Sequence, residues 1–345
     1  MALTDVWFLL IAVLWTGYLV LEGFDFGVGM LLPIVGRTEV DRRVAINTIG
    51  PVWDGNEVWL LVAGGATFAA FPEWYASLFS GFYLALLLIL VALIVRGVAF
   101  EFRGKIDDDR WRRNWDRAIV AGSLVPALLW GVAFANIVAG VPLDADHEFT
   151  GTLLTLLNPY ALLGGVATLL VFALHGALFL ALKTTGDVRE RAHRLARGLG
   201  AGAVLAGGSF LLWTHLAYGA SWTLVPVLVA AAGLLAALGA NARRREGWAF
   251  AGTAVAIVAV VVTLFGSLYP DVLPSSTDPA NSLTTVNAAS TPYTLTIMTW
   301  VAVVFTPIVL AYQSWTFWVF RRRIAATDIP PATGLPARTT GAHPR

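Results

Sequence analysis

The sequence predicts an all-α integral membrane protein of nine transmembrane helices, N-terminus outside and C-terminus cytoplasmic. Three observations carry this expectation. Of 345 residues, 57% are hydrophobic and only 13% charged, whereas soluble domains carry about 25% charged residues. The apolar residues come in blocks long enough to cross about 30 Å of hydrocarbon, which takes roughly 20 residues each. Apart from Arg96, the basic residues fall only in alternate loops and the tail, as a membrane protein's do on its cytoplasmic side.

In chain order the nine apolar runs are about 6–35, 51–71, 76–100, 118–141, 159–182, 199–218, 222–240, 247–269 and 293–320. The first follows an acidic start, Met1 to Asp5, with no small-residue cleavage site, so it reads as a retained span rather than a removed signal peptide. Arg37, Arg42 and Arg43 divide the first span from the second. Six bases from Arg103 to Arg117 follow the third, five from Lys183 to Arg197 follow the fifth, and Arg243, Arg244 and Arg245 follow the seventh. The sixth and seventh spans are separated only by Tyr218-Gly-Ala-Ser-Trp222, which requires a tight hairpin. The tail supplies the other bases except Arg96, which lies near the inner end of the third span. The remaining loops hold no Lys or Arg. Residues 142–158 carry Asp144, Asp146 and Glu148, and residues 270–292 are rich in Ser, Thr, Asn and Pro. The membrane domain is therefore expected over 1–324, and the aperiodic Ala/Thr/Pro/Gly/Arg stretch 325–345 as a disordered cytoplasmic tail.

Composition also excludes function classes. A net charge of +1 offers no clustered basic domain for nucleic acid. With no cysteine, disulfides, Cys-ligated zinc, iron–sulfur clusters and Cys-attached haem are ruled out within the chain. No Walker motif or zinc-ligand spacing occurs, so no metal is expected here.

Ionisable groups inside a bilayer are expensive and usually functional. The first span contains Glu22-Gly-Phe-Asp25, and the second opens with Pro51-Val-Trp53-Asp54-Gly-Asn56-Glu57. Counting from the span ends at about 1.5 Å per residue puts Asp54 about 5 Å, Glu57 about 9 Å, Asp25 about 15 Å and Glu22 about 20 Å from the cytoplasmic edge. Each pair is spaced i, i+3 and shares a helix face. Four stepped carboxylates suit a proton relay. Two structural readings stand beside it. Asp54 lies in a first turn, where a helix dipole favours negative charge, and Glu22 and Asp25 could pair with Arg96 or a partner subunit. Gly23 and Gly27 read as sites of close helix contact. His175 and His215 are the histidines within spans. A lone histidine in a helix is more often a hydrogen-bonded packing residue than a haem ligand. The segments Arg110-Trp-Arg-Arg-Asn-Trp115 and Asp187 to His193 read as interfacial, facing anionic membrane lipid.

The chain resembles a known family, subunit II of the bacterial cytochrome bd-type quinol oxidases. The resemblance rests on Gly23-Phe-Asp-Phe-Gly-Val-Gly-Met-Leu31 and Ile46-Asn-Thr-Ile-Gly-Pro-Val-Trp-Asp-Gly-Asn-Glu-Val-Trp59. It continues through Ala63-Gly-Gly-Ala-Thr-Phe-Ala-Ala-Phe-Pro72, Phe79-Ser-Gly-Phe-Tyr83 and Arg96-Gly-Val-Ala-Phe-Glu101-Phe-Arg103. Gly131-Val-Ala-Phe-Ala-Asn136, Leu157-Asn-Pro-Tyr160 and Met298-Thr-Trp-Val-Ala-Val-Val304 complete it, in the family's order over about residues 5–322.

The resemblance implies two four-helix bundles plus one further helix, set in the bacterial plasma membrane beside a haem-bearing subunit I. That partner is expected to hold haem b and haem d and to oxidise quinol, with oxygen reduced to water and no catalytic residue in this chain. Asp54 matches the aspartate that the family places on a proton path from the cytoplasm, and Asp25 matches that of the first motif. Glu22 stands where the family accepts another acid, and Trp53, Asn56, Arg96 and Glu101 belong to the supporting motifs. Some members hold a structural quinone in this subunit, and small accessory subunits are a further expected kind of partner. The alternatives from the residues alone are a proton-coupled transporter and a purely structural partner of a haem subunit.

Overall fold

The computed structural model describes residues 2–331 and 334–336. The chain opens with α1 (Leu3–Val35), α2 (Glu39–Ile49), α3 (Trp53–Ala70), α4 (Pro72–Gly81) and α5 (Tyr83–Phe102). It continues with α6 (Asp109–Ala139), α7 (Pro159–Lys183), α8 (Gly186–Tyr218), α9 (Leu224–Ala242), α10 (Glu246–Leu268) and α11 (Pro292–Val319). Local sequence starts several of these. Thr38 and Asp41 form a reciprocal capping box for α2. Asp108 accepts from Trp111 N at 2.6 Å to cap α6, and Asn158, followed by Pro159, caps α7 through Ala161 N at 2.9 Å.

Eight helices among the described residues are long and apolar enough to cross a membrane: α1, α5 to α8, α10, α11, and α9 with its preceding turn. The run expected at 51–71 forms α3, a continuous helix of 18 residues, but with Asp54, Asn56 and Glu57 in its first turns it is not among these eight. The run expected at 76–100 is divided at Phe82, so that α4 is a short separate helix and α5 carries the crossing. Pro72 starts α4 at its first position, where a missing N–H costs nothing. The helix α2, in what the sequence gives as a loop, was not expected, and α6 and α8 begin well before their apolar runs.

α1 is the spine. Every residue from Glu22 to Leu32 is buried, because α1 packs against α3, α6, α7 and α10. Its crossing with α7 is backbone to backbone: a Cβ on Gly27 would stand 2.1 Å from Phe172 O and 2.7 Å from Gly176 Cα. The close contact expected at Gly23 and Gly27 is present, with Gly23 against the Phe172 ring. Gly131 meets Gly164 between α6 and α7, and Gly233 meets Gly252 between α9 and α10, in the same way. α7 packs on α8, α8 on α9, α9 on α10 and α10 back on α7. α11 is different: Leu295 is its only buried residue.

The two ends of the helix array differ. At the basic end, Arg103 pairs bidentately with Glu39 (2.8 and 2.8 Å) and with Asp116 (2.6 Å), and Arg42 reaches Asp116 at 3.3 Å. These bonds raise the Arg103 guanidinium above its ordinary pKa, although burial acts the other way. The segment after α11 crosses this end. Lys183 Nζ donates to Phe320 O and Arg322 O, Ile324 N bonds Lys183 O at 2.8 Å, and Arg43 donates to Pro330 O at 2.6 Å. Leu335–Pro336 pairs with Ile106–Asp107. The stretch expected as a tail from 325 is thus held against the array over its described part, by backbone groups that need partners. Residues 337–345 lie outside the described residues. At the other end, the loops 140–158 and 270–291 pair through Val141 N and Pro274 O at 3.0 Å.

Candidate functional site

α1, α3 and α5 bring three acids to one base. Glu22 on α1 and Glu57 on α3 both accept from Arg96 Nη2 on α5, the latter at 2.7 Å. The side chains of Arg96 and Glu22 are fully buried, whereas that of Glu57 is 24% exposed. The Arg96 guanidinium lies over the Phe26 ring, 4.6 Å from its centroid, a placement that favours a desolvated cation. Arg96 can approach this closely because Gly122 on α6 leaves room: a Cβ there would stand 2.7 Å from Arg96 Cβ.

Asp25 is fully buried one turn from Glu22 and has no cation of its own. Asn56 Nδ2 donates to Asp25 Oδ2 at 2.7 Å, Gln313 Nε2 donates to Asn56 Oδ1 at 3.2 Å, and Trp59 Nε1 donates to Gln313 Oε1 at 2.8 Å. This chain of neutral amides ties α1, α3 and α11 together. Glu22 Oε2 and Asp25 Oδ1 are buried with no hydrogen-bond partner among the described residues. Two carboxylates thus share one guanidinium, and a third is buried one turn away on an amide.

Asp54 stands apart. It is exposed, and its carboxylate accepts only from Gly55 N, at 2.8 Å, in the first turn of α3. Glu101 is exposed at the end of α5, and Trp53 is half-buried against Phe100, with ring centroids 5.1 Å apart. The pairing with Arg96 that offered a structural account of Glu22 is present, and Asp25 is outside it.

The even stepping of depths expected along the relay is corrected. Asn56 lies level with Asp25, and Glu57 and Glu22 share one nitrogen of Arg96. Spacing at 1.5 Å per residue then starts α3 about 10 Å above the end of α1. The reason is α2, which packs back along α1, so that α1 overshoots its neighbours. The acids stand within about two turns of the ends of α3 and α5.

Gln313 and Trp59 were not among the expected site residues. A glutamine in the last span was the available signal. His175 is a packing residue: its ring nitrogens meet Thr253 Oγ1 at 2.6 Å and Val20 O at 3.1 Å, and it stacks on Phe250. Neither nitrogen is left for a haem. No group of three or more His, Asp or Glu that could hold a metal occurs among the described residues.

Comparison with known proteins follows the same lines. The family described as cytochrome bd terminal oxidase subunit II matches residues 3–320. The cytochrome bd ubiquinol oxidase subunit 2 of Bacillus subtilis is 42% identical over 330 residues, covering 94% of this chain and 97% of that protein. The cytochrome bd-I ubiquinol oxidase subunit 2 of Escherichia coli K12 is 40% identical over 362 residues, with 94% and 96% covered. A chain of the bd oxidase structure from Geobacillus thermodenitrificans superposes with a TM-score of 0.77 over 93% of this chain and 99% of that one, at 16% identity, a likeness of fold.

Proposed function

The chain belongs to the cytochrome bd terminal oxidase subunit II family, and from that premise we propose that it conducts protons toward an oxygen-reducing partner. It is a subunit of a cytochrome bd-type quinol oxidase and a multi-pass protein of the bacterial plasma membrane. The haem-bearing subunit I supplies the oxygen chemistry when its haems are bound. This chain's own residues hold and move protons.

The observation that carries the reading is one guanidinium set among three carboxylates, two of them fully buried. A buried charge without a partner costs several kcal/mol, so such a cluster retains a proton to stay near neutrality. Asp54 at the surface collects the proton and Glu57, one turn on and half-exposed, receives it. Arg96 swings its shared hydrogen bond between Glu57 and Glu22. Asp25, held by Asn56 alone, is the inner acceptor.

The eight apolar helices and α3 make nine spans, with the basic end in the cytoplasm by the positive-inside rule. α1, α3, α5 and α6 read as one group of four, α7 to α10 as the second, and α11 as the ninth. α11 and the outer side of α3 are the face for subunit I. Asp54 and Glu57 cannot front hydrocarbon, and a Cβ on Gly64 or Gly65 meets nothing within 4 Å in this chain, which suits another helix there. Between α1, α3, α4, α5, α6 and α10 an apolar groove of about 470 Å³ fits the chain of a structural quinone. Trp74 Nε1, buried and without a partner, would be its donor.

The test is oxygen consumption and proton uptake by the intact complex carrying Asp54→Asn or Glu57→Gln. With haem content preserved, both are expected to fall at least tenfold. Unchanged turnover would favour the second reading, that Arg96, Glu22 and Glu57 form a structural lock and subunit II only supports its partner.

A further inference from the structure

α6 begins at Asp109, more than two turns before its apolar run, and those turns carry Arg110, Arg113 and Arg117. The spacing i, i+3, i+7 puts them on one face, and all three are exposed. The neighbouring acids are used elsewhere. Asp107 and Asp109 bind Arg112 at 2.6 and 2.7 Å, Asp108 caps the helix, and Asp116 is buried with Arg103. The three guanidinium groups have no carboxylate partner among the described residues, unlike Arg42, Arg103 and Arg112 at the same end.

The same stripe continues without a break into exposed apolar residues, Ala121 and Leu124. On the other side of α6, toward α5, stand Trp111 and Trp115, with rings 5.6 Å apart. Trp115 lies 6.0 Å from Phe102 on α5, and Trp111 Nε1 donates to Phe102 O at 2.9 Å. Indole rings anchored by one polar atom suit the headgroup level of a bilayer. A row of cations that passes into an apolar row, on a helix whose indoles mark the headgroup level, matches an amphiphile, charged at one end and greasy at the other. A protein or a nucleic acid would not use the apolar continuation in that way.

We propose that this stripe binds an anionic phospholipid of the cytoplasmic leaflet. Its phosphate sits among Arg110, Arg113 and Arg117, and its acyl chain runs along Ala121 and Leu124. The site lies on the face of α6 turned away from α5 and apart from the face proposed for subunit I. It rests on the membrane placement proposed above and is independent of the proton path.

The purified two-subunit complex in neutral detergent is titrated with spin-labelled phosphatidylglycerol and, separately, phosphatidylcholine. The phosphatidylglycerol preference should fall about fivefold for each of Arg113→Gln and Arg117→Gln and on the order of a hundredfold for the triple Arg→Gln variant. The triple Arg→Lys variant, with haem content as the check on assembly, should keep most of it, as should Arg194→Gln with Arg197→Gln. An unchanged preference in the triple Gln variant overturns the site. Displacement by millimolar inorganic phosphate alone overturns it as a lipid site. Because the chain has no cysteine, Asn114→Cys reads the placement separately. Labelling by an impermeant maleimide only from the cytoplasmic side is expected, and labelling from outside would overturn the placement and with it the leaflet.

Discussion

Arg96 holds two glutamates from different helices, and its removal separates a lock from a relay. Arg96→Gln leaves the buried Glu22 and the half-buried Glu57 without their cation and should destabilise the complex by roughly 3–5 kcal/mol. Its midpoint in a thermal scan should fall well below that of Glu22→Gln, which leaves Glu57 on the same guanidinium. Asn56 makes a finer test. Asn56→Leu removes the hydrogen bond to Asp25, worth roughly 1–3 kcal/mol when the acceptor is buried, and also frees Gln313. Proton uptake should slow while haem content is kept; a variant with native uptake would mean that Asp25 is not the inner acceptor. Glu22, Asp25 and Glu57 were legible as charges in apolar runs, and Arg96 as their potential mate. Gln313 was not, since its partner Asn56 is far away in the sequence and only the approach of α11 to α3 joins them.

At the scale of helices, glycine positions divide into two kinds. Gly27 lies against the backbone of α7, so Gly27→Leu should prevent folding of the chain, seen as loss of both subunits from the membrane. Gly65 faces open space in this chain. Gly65→Leu should leave insertion intact and reduce recovery of subunit I with an affinity-tagged copy; equal recovery would place the partner on another face. Most spans were legible because a bilayer imposes long apolar runs, and the loops because basic residues gather in alternate ones. α2 was hidden, since its pattern follows from capping by Thr38 and Asp41 and from packing on α1 rather than from hydrophobicity. The break at Phe82 was hidden too, because apolar residues continue through it. The offset between α1 and α3 was hidden for a related reason: a helix that runs past its neighbours looks no different in sequence from one that ends level with them.

The whole molecule is tied at its basic end by the segment after α11. Lys183 holds Phe320 and Arg322, and Arg323 reaches Glu246 at 3.5 Å. Ending the chain after Arg321 should lower the thermal midpoint by several degrees, whereas ending it after Pro331 should change it little. Equal midpoints would mean that the crossing segment carries no stability of its own. The single buried residue of α11 has a consequence for biogenesis. α11 leaves the ribosome after α1 to α10, so the surface proposed for subunit I is completed only after they are made. A copy made in excess would stay in the bilayer with that surface uncovered, open to membrane proteases, and the cell could match the two subunits by disposal rather than by balanced expression.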